Sequence, residues 1–207
     1  MIYIIAQYFL FTINTCFCKE MEGTYLESKT FDQADLLAKG EYENCTFNNC
    51  NFSDINLSEF KFIDCHFNVC NLSLTKINKT SFQDVKFREC KMLGVRFDDC
   101  SEFRLSFSFE SCQLSHSSFF KLKIKNTTFR NSLLEGVDFE KTDLTGAIFD
   151  NCNLIRAVFD QTTLEKADFR TSYNYSIDPE INRIKKAKFS LQGVVGLLER
   201  YDIEIET

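Results

Sequence analysis

Apolar residues recur at every fifth position along most of this chain. From Tyr42 the steps fall on Phe47, Phe52, Leu57, Phe62, Phe67, Leu72, Ile77, Phe82, Phe87, Met92 and Phe97 without meeting a polar residue. The frame then slips by two and resumes at Phe109, running through Leu114, Phe119, Ile124, Phe129, Leu134, Phe139, Leu144, Phe149, Leu154, Phe159 and Leu164 to Phe169. An amphipathic helix repeats every 3.6 residues and a half-buried strand every 2, so neither element accounts for a period of five. A fixed short period held across 42–169 predicts a solenoid, in which each repeat buries its apolar face only by stacking on its neighbours.

A second inward position lies two residues before each centre and is restricted in size. It holds Cys45, Cys50, Cys65, Cys70, Val85, Cys90, Cys112, Thr127, Ala147, Cys152, Ala157 and Ala167, with Ile55, Phe60, Phe107 and Leu122 as larger exceptions. Large centres and small slots together fill a narrow tube at interior packing density. Four repeats closing one square turn would bring residues twenty apart into register. That spacing yields a column of eight phenylalanines, from Phe47, Phe67 and Phe87 to Phe189, if two residues near 98–108 bulge outward. A second column reads Phe52, Leu72, Met92, Leu114, Leu134 and Leu154, and a third Leu57, Ile77, Phe97, Phe119, Phe139 and Phe159. The predicted fold class is an all-β solenoid, a right-handed quadrilateral β-helix, since parallel strands connect almost always with that hand. Six to seven coils about 4.8 Å apart would make a rod about 30 Å long.

The flanks depart from the frame. Residues 1–20 open with an apolar stretch lacking a basic start and a clear cleavage site, and Gln7, Thr12, Asn14 and Thr15 interrupt it as a membrane span. Initiation at Met21 and a cytoplasmic location are expected; if 1–18 is a real targeting segment, the chain is membrane-anchored or exported. Residues 21–41 read as an N-terminal cap, 42–189 as the β-helix with a looser last coil at Ile184 and Phe189, and 190–207 as a capping or dimerising tail. In the tail, Ser190 suits a helix N-cap, and Leu191, Val194, Val195 and Leu198 share one helical face beside Leu197. Ile203 and Ile205 alternate as in a short strand.

Composition narrows the function. The chain has 23 Phe but only 7 Gly and one Pro, so its corners must turn by another device. A net charge of −6 argues against direct binding of nucleic acid through a basic surface and favours a protein partner. Seven of the ten cysteines occupy the small slot and Cys100 shares its phase, so they read as small hydrophobes rather than metal ligands. His66 and His116 fall on outward phases, with no nucleophile, phosphate loop or carboxylate pair in a cleft. A filled rod without a pocket is not expected to be an enzyme, and no cofactor or metal is expected. The outer walls remain. Late in the repeats Glu135, Asp138, Glu140, Asp143, Asp150, Asp160, Glu165 and Asp168 outnumber Lys141, Arg156 and Lys166, after a basic stretch of Lys121, Lys123, Lys125 and Arg130. These acids form the candidate partner-binding surface.

Ala-Asp-Phe-Arg-Thr at 167–171, Thr-Asp-Leu-Thr-Gly at 142–146 and Cys-Asn-Phe-Ser-Asp at 50–54 resemble the unit of the pentapeptide-repeat proteins. Leu-Leu-Glu-Arg at 197–200, with Ile203 and Ile205, is similar to the end of the quinolone-resistance members of that family. The resemblance implies a homodimer joined tip to tip through the tail. It also implies a DNA-mimicking rod that engages DNA gyrase or topoisomerase IV and relieves quinolone inhibition. The alternative is a scaffolding solenoid that binds some other protein.

Overall fold

Every fifth side chain points into the axis of a four-sided parallel β-solenoid. The computed structural model describes residues 23–206, so the segment at 1–20 lies outside the described residues. One sheet has the order β1 (Thr24–Glu27), β3 (Gly40–Glu43), β5 (Lys61–Ile63) and β7 (Ser81–Gln83). The other stacks β2 (Thr30–Asp32), β4 (Thr46–Asn48), β6 (His66–Asn68), β8 (Val85–Arg88), β9 (Phe107–Glu110), β10 (Thr128–Arg130) and β11 (Ile148–Asp150). The remaining sides pair through single parallel bridges, such as Asn51 to Asn71 and Asp138 to Val158. Register is twenty residues in the regular coils, with Phe47 opposite Phe67 and Phe129 opposite Phe149.

The corners are made by left-handed residues that are mostly not glycine. Two places after an inward centre, Asn44, Asn49, Asp54, Glu59, Asp64, Val69, Leu74 and Lys79 have φ between 50 and 65°. That conformation costs an L residue about 1 kcal/mol. The ladder between coils offsets the cost: the N–H of Asp54 donates to Ser73 O at 3.0 Å and that of Leu74 to Leu93 O at 2.9 Å. Outward Asn and Asp add a second brace. Oδ1 of Asn51, Asn56, Asn71, Asp138, Asp143, Asn153 and Asp168 accepts the N–H two residues on, at 2.8 to 3.3 Å.

The core is a set of stacked columns. Phe47, Phe67, Phe87, Phe109, Phe129, Phe149, Phe169 and Phe189 stack with successive centroids 4.5 to 5.5 Å apart, and Phe31 extends the column at 5.0 Å. Eight steps of one interstrand spacing make this stack about 38 Å long, more than the 30 Å expected, because the flanks join the rod. Neighbouring columns meet edge to face, as Phe119 meets Phe129 at 5.9 Å, the arrangement that ring quadrupoles favour. The small slot is a hydrogen-bonding position as well as a small one. Several of its hydroxyls and thiols donate to the carbonyl of a centre in the previous coil, Thr75 to Phe52 at 2.6 Å, Thr142 to Phe119 at 2.7 Å, Ser172 to Phe149 at 2.8 Å and Cys70 to Phe47 at 3.3 Å, whereas the Ser117 hydroxyl is buried without a partner among the described residues. Phe60, Phe107 and Leu122 are buried there despite their size, whereas Ile55 is only half-buried.

Three irregularities mark the rod. The first coil is short, pairing Thr24 with Gly40 and Thr30 with Thr46, sixteen residues apart. The two-residue slip lies between Ser101, whose N–H still donates to Thr80 O at 2.9 Å, and β9, which pairs Val85 with Phe107. It bulges outward as expected and leaves Phe103 71% exposed. In the last coil Tyr175 and Ile177 turn inward in place of Asn174 and Pro179.

The tail corrects the sequence reading. Residues 190–200 form two 3-10 segments, Gly193–Leu197 and Glu199–Tyr201, rather than an α-helix, and 203–205 form no strand. Two glycines and the adjacent Val194 and Val195 are poor helix formers. The two glycines also serve packing, because a Cβ at Gly193 or Gly196 would overlap Tyr175. Gly196 O accepts the N–H of Ile177 at 2.8 Å, which closes half of the rod's end. Ser190 does act near the start of the turn, its Oγ accepting the N–H of Gly193 at 3.0 Å.

A candidate protein-binding surface

Burial dominates four of the interior thiols. The thiols of Cys50 and Cys152 are pushed up to about 11, and those of Cys65 and Cys100 to about 12, chiefly by desolvation. A raised value keeps these four thiols protonated at neutral pH, the form that is a weak nucleophile. Among the described residues no group of three or more His, Cys, Asp or Glu could hold a metal ion. His66 faces outward from β6, and His116 sits at a corner with its imidazole over Gly136. No described helix is long and apolar enough to cross a membrane.

The eight candidate acids do not form one strip; the coil register distributes them over all four sides. Glu135 flanks inward Leu134, and Asp143 and Glu165 flank Leu144 and Leu164. Asp150 and Asp168 flank Phe149 and Phe169. The remaining three, Asp138, Glu140 and Asp160, share the side built on Phe119, Phe139 and Phe159, whose rings stack at 5.3 Å in both steps. One coil further, beyond Phe120, Asp98 is almost buried and paired with Arg96 at 2.6 Å, and Lys121 Nζ lies 4.6 Å and Lys141 Nζ 5.6 Å from the Phe120 ring centroid. This side is the densest acidic wall that the candidate set makes.

Ion pairs temper the field of the set. Glu135 pairs with Arg156, Glu140 with Lys141 at 2.5 Å, Asp143 with Lys125 at 3.2 Å and Asp150 with Arg130 at 3.0 Å. Asp168 meets Arg170 at 2.8 Å and Lys188 at 3.7 Å. The basic residues Lys125 and Arg130, read in sequence as a separate stretch, are thus partners of the acids one coil later. The Arg170 guanidinium holds the Asp168 carboxyl below the usual carboxylate range against its partial burial. At Asp143 partial burial acts upward, but hydrogen bonds from Thr145 and Lys125 outweigh it and lower the carboxyl. Asp138, Asp160 and Glu165 form no ion pair among the described residues. The bracing role of Asp138, Asp143 and Asp168 was missed in the sequence, although Asn in the same place at 51, 56, 71 and 153 signals it.

The tail residues divide. Leu191 (85% exposed), Val194, Val195, Ile203 and Ile205 are exposed, whereas Leu197 packs against the core and Leu198 is half-buried. Arg200 lies across the end of the rod, paired with Asp178 and, at 3.1 Å, with Glu180.

The sequence matches the family model of the pentapeptide repeat region over residues 41–108 and 101–173. No curated protein matches it significantly. Among solved structures, full-length QnrB1, a plasmid-mediated fluoroquinolone resistance protein, aligns with a TM-score of 0.52 at 18% identity, covering 87% of this chain and 100% of that one. A trypsin-treated variant of QnrB1 aligns with a TM-score of 0.48 at 18% identity over 90% of this chain and 100% of that one. HetL, a pentapeptide-repeat protein involved in heterocyst differentiation in the cyanobacterium Nostoc, gives 0.28 at 14% identity over 92% and 94%. The five-residue period, the four-sided parallel solenoid and the family match over most of its length agree that this chain belongs to the pentapeptide-repeat family.

Proposed function

We propose that the chain is a non-catalytic binding solenoid that protects a type II topoisomerase from quinolones by occupying its basic DNA-binding groove. The observation that carries this reading is the wall of Asp138, Glu140 and Asp160, presented on a rod whose interior is filled by stacked rings. Rigid fixation of these acids lowers the ordering cost of binding, and a run of negative charge suits a groove shaped for phosphates. The likeness of fold to QnrB1 supports the choice of partner. Two copies join end to end through the exposed Leu191, Val194, Val195, Ile203 and Ile205, an apolar cluster of the kind that marks an interface.

Supercoiling by purified gyrase in the presence of a fluoroquinolone tests this. Added protein should restore supercoiling, and Asp138→Lys, Glu140→Lys and Asp160→Lys together should abolish the rescue. Absence of rescue across a wide range of protein concentration rejects the reading. The number of ion-paired acids favours the second reading, a scaffold for another protein, and that reading predicts no rescue by either form. Truncation after Phe189 should convert the dimer to monomer by light scattering, and an unchanged mass would reject the interface.

A further inference from the structure

Phenylalanine belongs to the axis of this rod, and Phe120 departs from that rule. It follows inward Phe119 and so points out of the side that carries Asp138, Glu140 and Asp160, where it is half-buried. The parallel bridges of Arg96 to Ser118 and Ser118 to Asp138 place its outward neighbours at Asp98 in one adjoining coil and Glu140 in the other. The backbone here is braced without help from the ring. Phe120 N–H donates to Ser118 Oγ at 3.3 Å, just as Glu140 N–H donates to Asp138 Oδ1 at 2.8 Å one coil later. Earlier coils carry Ser58 and Asn78 at the same place. Neither core filling nor turn bracing therefore asks for an aromatic side chain.

What lies against the ring indicates what it recognises. Lys121 Nζ is 4.6 Å and Lys141 Nζ 5.6 Å from its centroid, so two ammonium groups of the chain already face it. Lys141 also pairs with Glu140 at 2.5 Å. An aromatic face with a carboxylate beside it is a receptor for a cation. Asp98 adds negative charge from the other neighbouring coil: its side chain is only 9% exposed, and Oδ1 has no hydrogen-bond partner among the described residues although Oδ2 takes Arg96. The two lysines are exposed, strongly hydrated point charges on long stems. A guanidinium is planar and more weakly hydrated, stacks on aromatic faces and forks onto a carboxylate. It is the better occupant of the same seat.

We propose that Phe120 is the specificity-determining residue of the acidic wall: an arginine of the basic partner displaces Lys141 from the ring, stacks on Phe120 and pairs with Glu140. Carboxylates alone attract any basic groove, because charge acts at a distance and without direction. The ring makes the wall select a groove that carries an arginine at one place. The inference rests on the proposed seating of this wall in a topoisomerase groove, and it names the contact that separates that groove from other basic surfaces.

Calorimetric titration of the full chain with purified gyrase tests it. Phe120→Leu keeps an apolar side chain but loses the aromatic face, and should weaken binding about tenfold, whereas Phe120→Tyr should stay within about twofold. Lys121→Gln with Lys141→Gln empties the seat and should tighten binding. The same pair of changes should tighten it less in the Phe120→Leu background, where only the added negative charge remains. Phe120→Leu that binds like the starting chain, while the Asp138, Glu140 and Asp160 reversals still abolish binding, overturns the ring contact and leaves the acidic wall standing. No binding by the starting chain overturns both. If Phe120→Leu weakens binding and lowers the melting temperature, and the lysine changes act equally in the two backgrounds, the ring serves packing and the proposal is rejected.

Discussion

At the scale of single residues the structure follows from two demands: fill the axis, and pair most of the polar atoms beside it. Phe129, fully buried and stacked between Phe109 and Phe149, meets the first. Phe129→Ala should cost about 3–5 kcal/mol in denaturant unfolding, because the layers above and below hold the cavity open. Cys90 meets both demands, with its Sγ donating to Phe67 O at 3.3 Å. Cys90→Ser keeps the donor and should cost less than about 1 kcal/mol, whereas Cys90→Leu overfills the slot and should cost about 1–3 kcal/mol. Asp168 braces a turn and holds Arg170. Asp168→Asn should retain the turn and Asp168→Ala should lose about 1 kcal/mol more by chemical unfolding. Because Asp168 and Asp178 are held below the usual carboxylate range by Arg170 and Arg200, their contribution is complete above about pH 4 and disappears as pH falls through their lowered values. Melting temperature should be flat from pH 8 to 5 and fall below pH 4, less steeply in Asp168→Asn. The inward centres were legible because apolar and polar types separate cleanly there. The brace was not, because Asp138, Asp143 and Asp168 look like any exposed acid until the backbone N–H they accept is in view.

At the scale of elements the repeat is a three-residue strand or bridge followed by a left-handed corner. Glycine is rare at these corners, and the corner two places after Phe67 is Val69, a β-branched residue at φ 56° with half its surface exposed. Val69→Asn should raise stability by about 0.5–1 kcal/mol, since Asn tolerates this conformation and Val does not. The tail shows where element reading fails. Leu191, Val194, Val195 and Leu198 have helical spacing, yet Gly193 and Gly196 are needed for contact with Tyr175, and the chain tightens into 3-10 turns. Gly193→Ala should lift the cap from Tyr175, whose buried hydroxyl has no hydrogen-bond partner among the described residues. Faster amide exchange at Ile177, held by Gly196, would report that opening. No local pattern could have shown this, because Tyr175 itself leaves the five-residue frame by one place.

At the scale of the whole molecule the fold was legible from one period, whereas the surface depended on which column each side chain flanks. Eight acids close in sequence look like a strip, but a period of twenty sends Asp150 and Asp168 to the side of Phe149 and Phe169, leaving Asp138, Glu140 and Asp160 beside Phe139 and Phe159. The columns already contained that assignment. The pairing of Lys125 with Asp143 and Arg130 with Asp150 was equally implicit in spacings of eighteen and twenty residues. The rod offers its outer walls to solvent, and the proposed function places recognition on one of them, the side of Asp138, Glu140 and Asp160. Competition with a labelled DNA duplex for purified gyrase, followed by fluorescence anisotropy, tests this most directly. The account predicts that the protein displaces the duplex, that displacement weakens with rising salt, and that reversing Asp138, Glu140 and Asp160 abolishes it. Simultaneous binding of duplex and protein, or displacement unchanged by the three reversals, would contradict it.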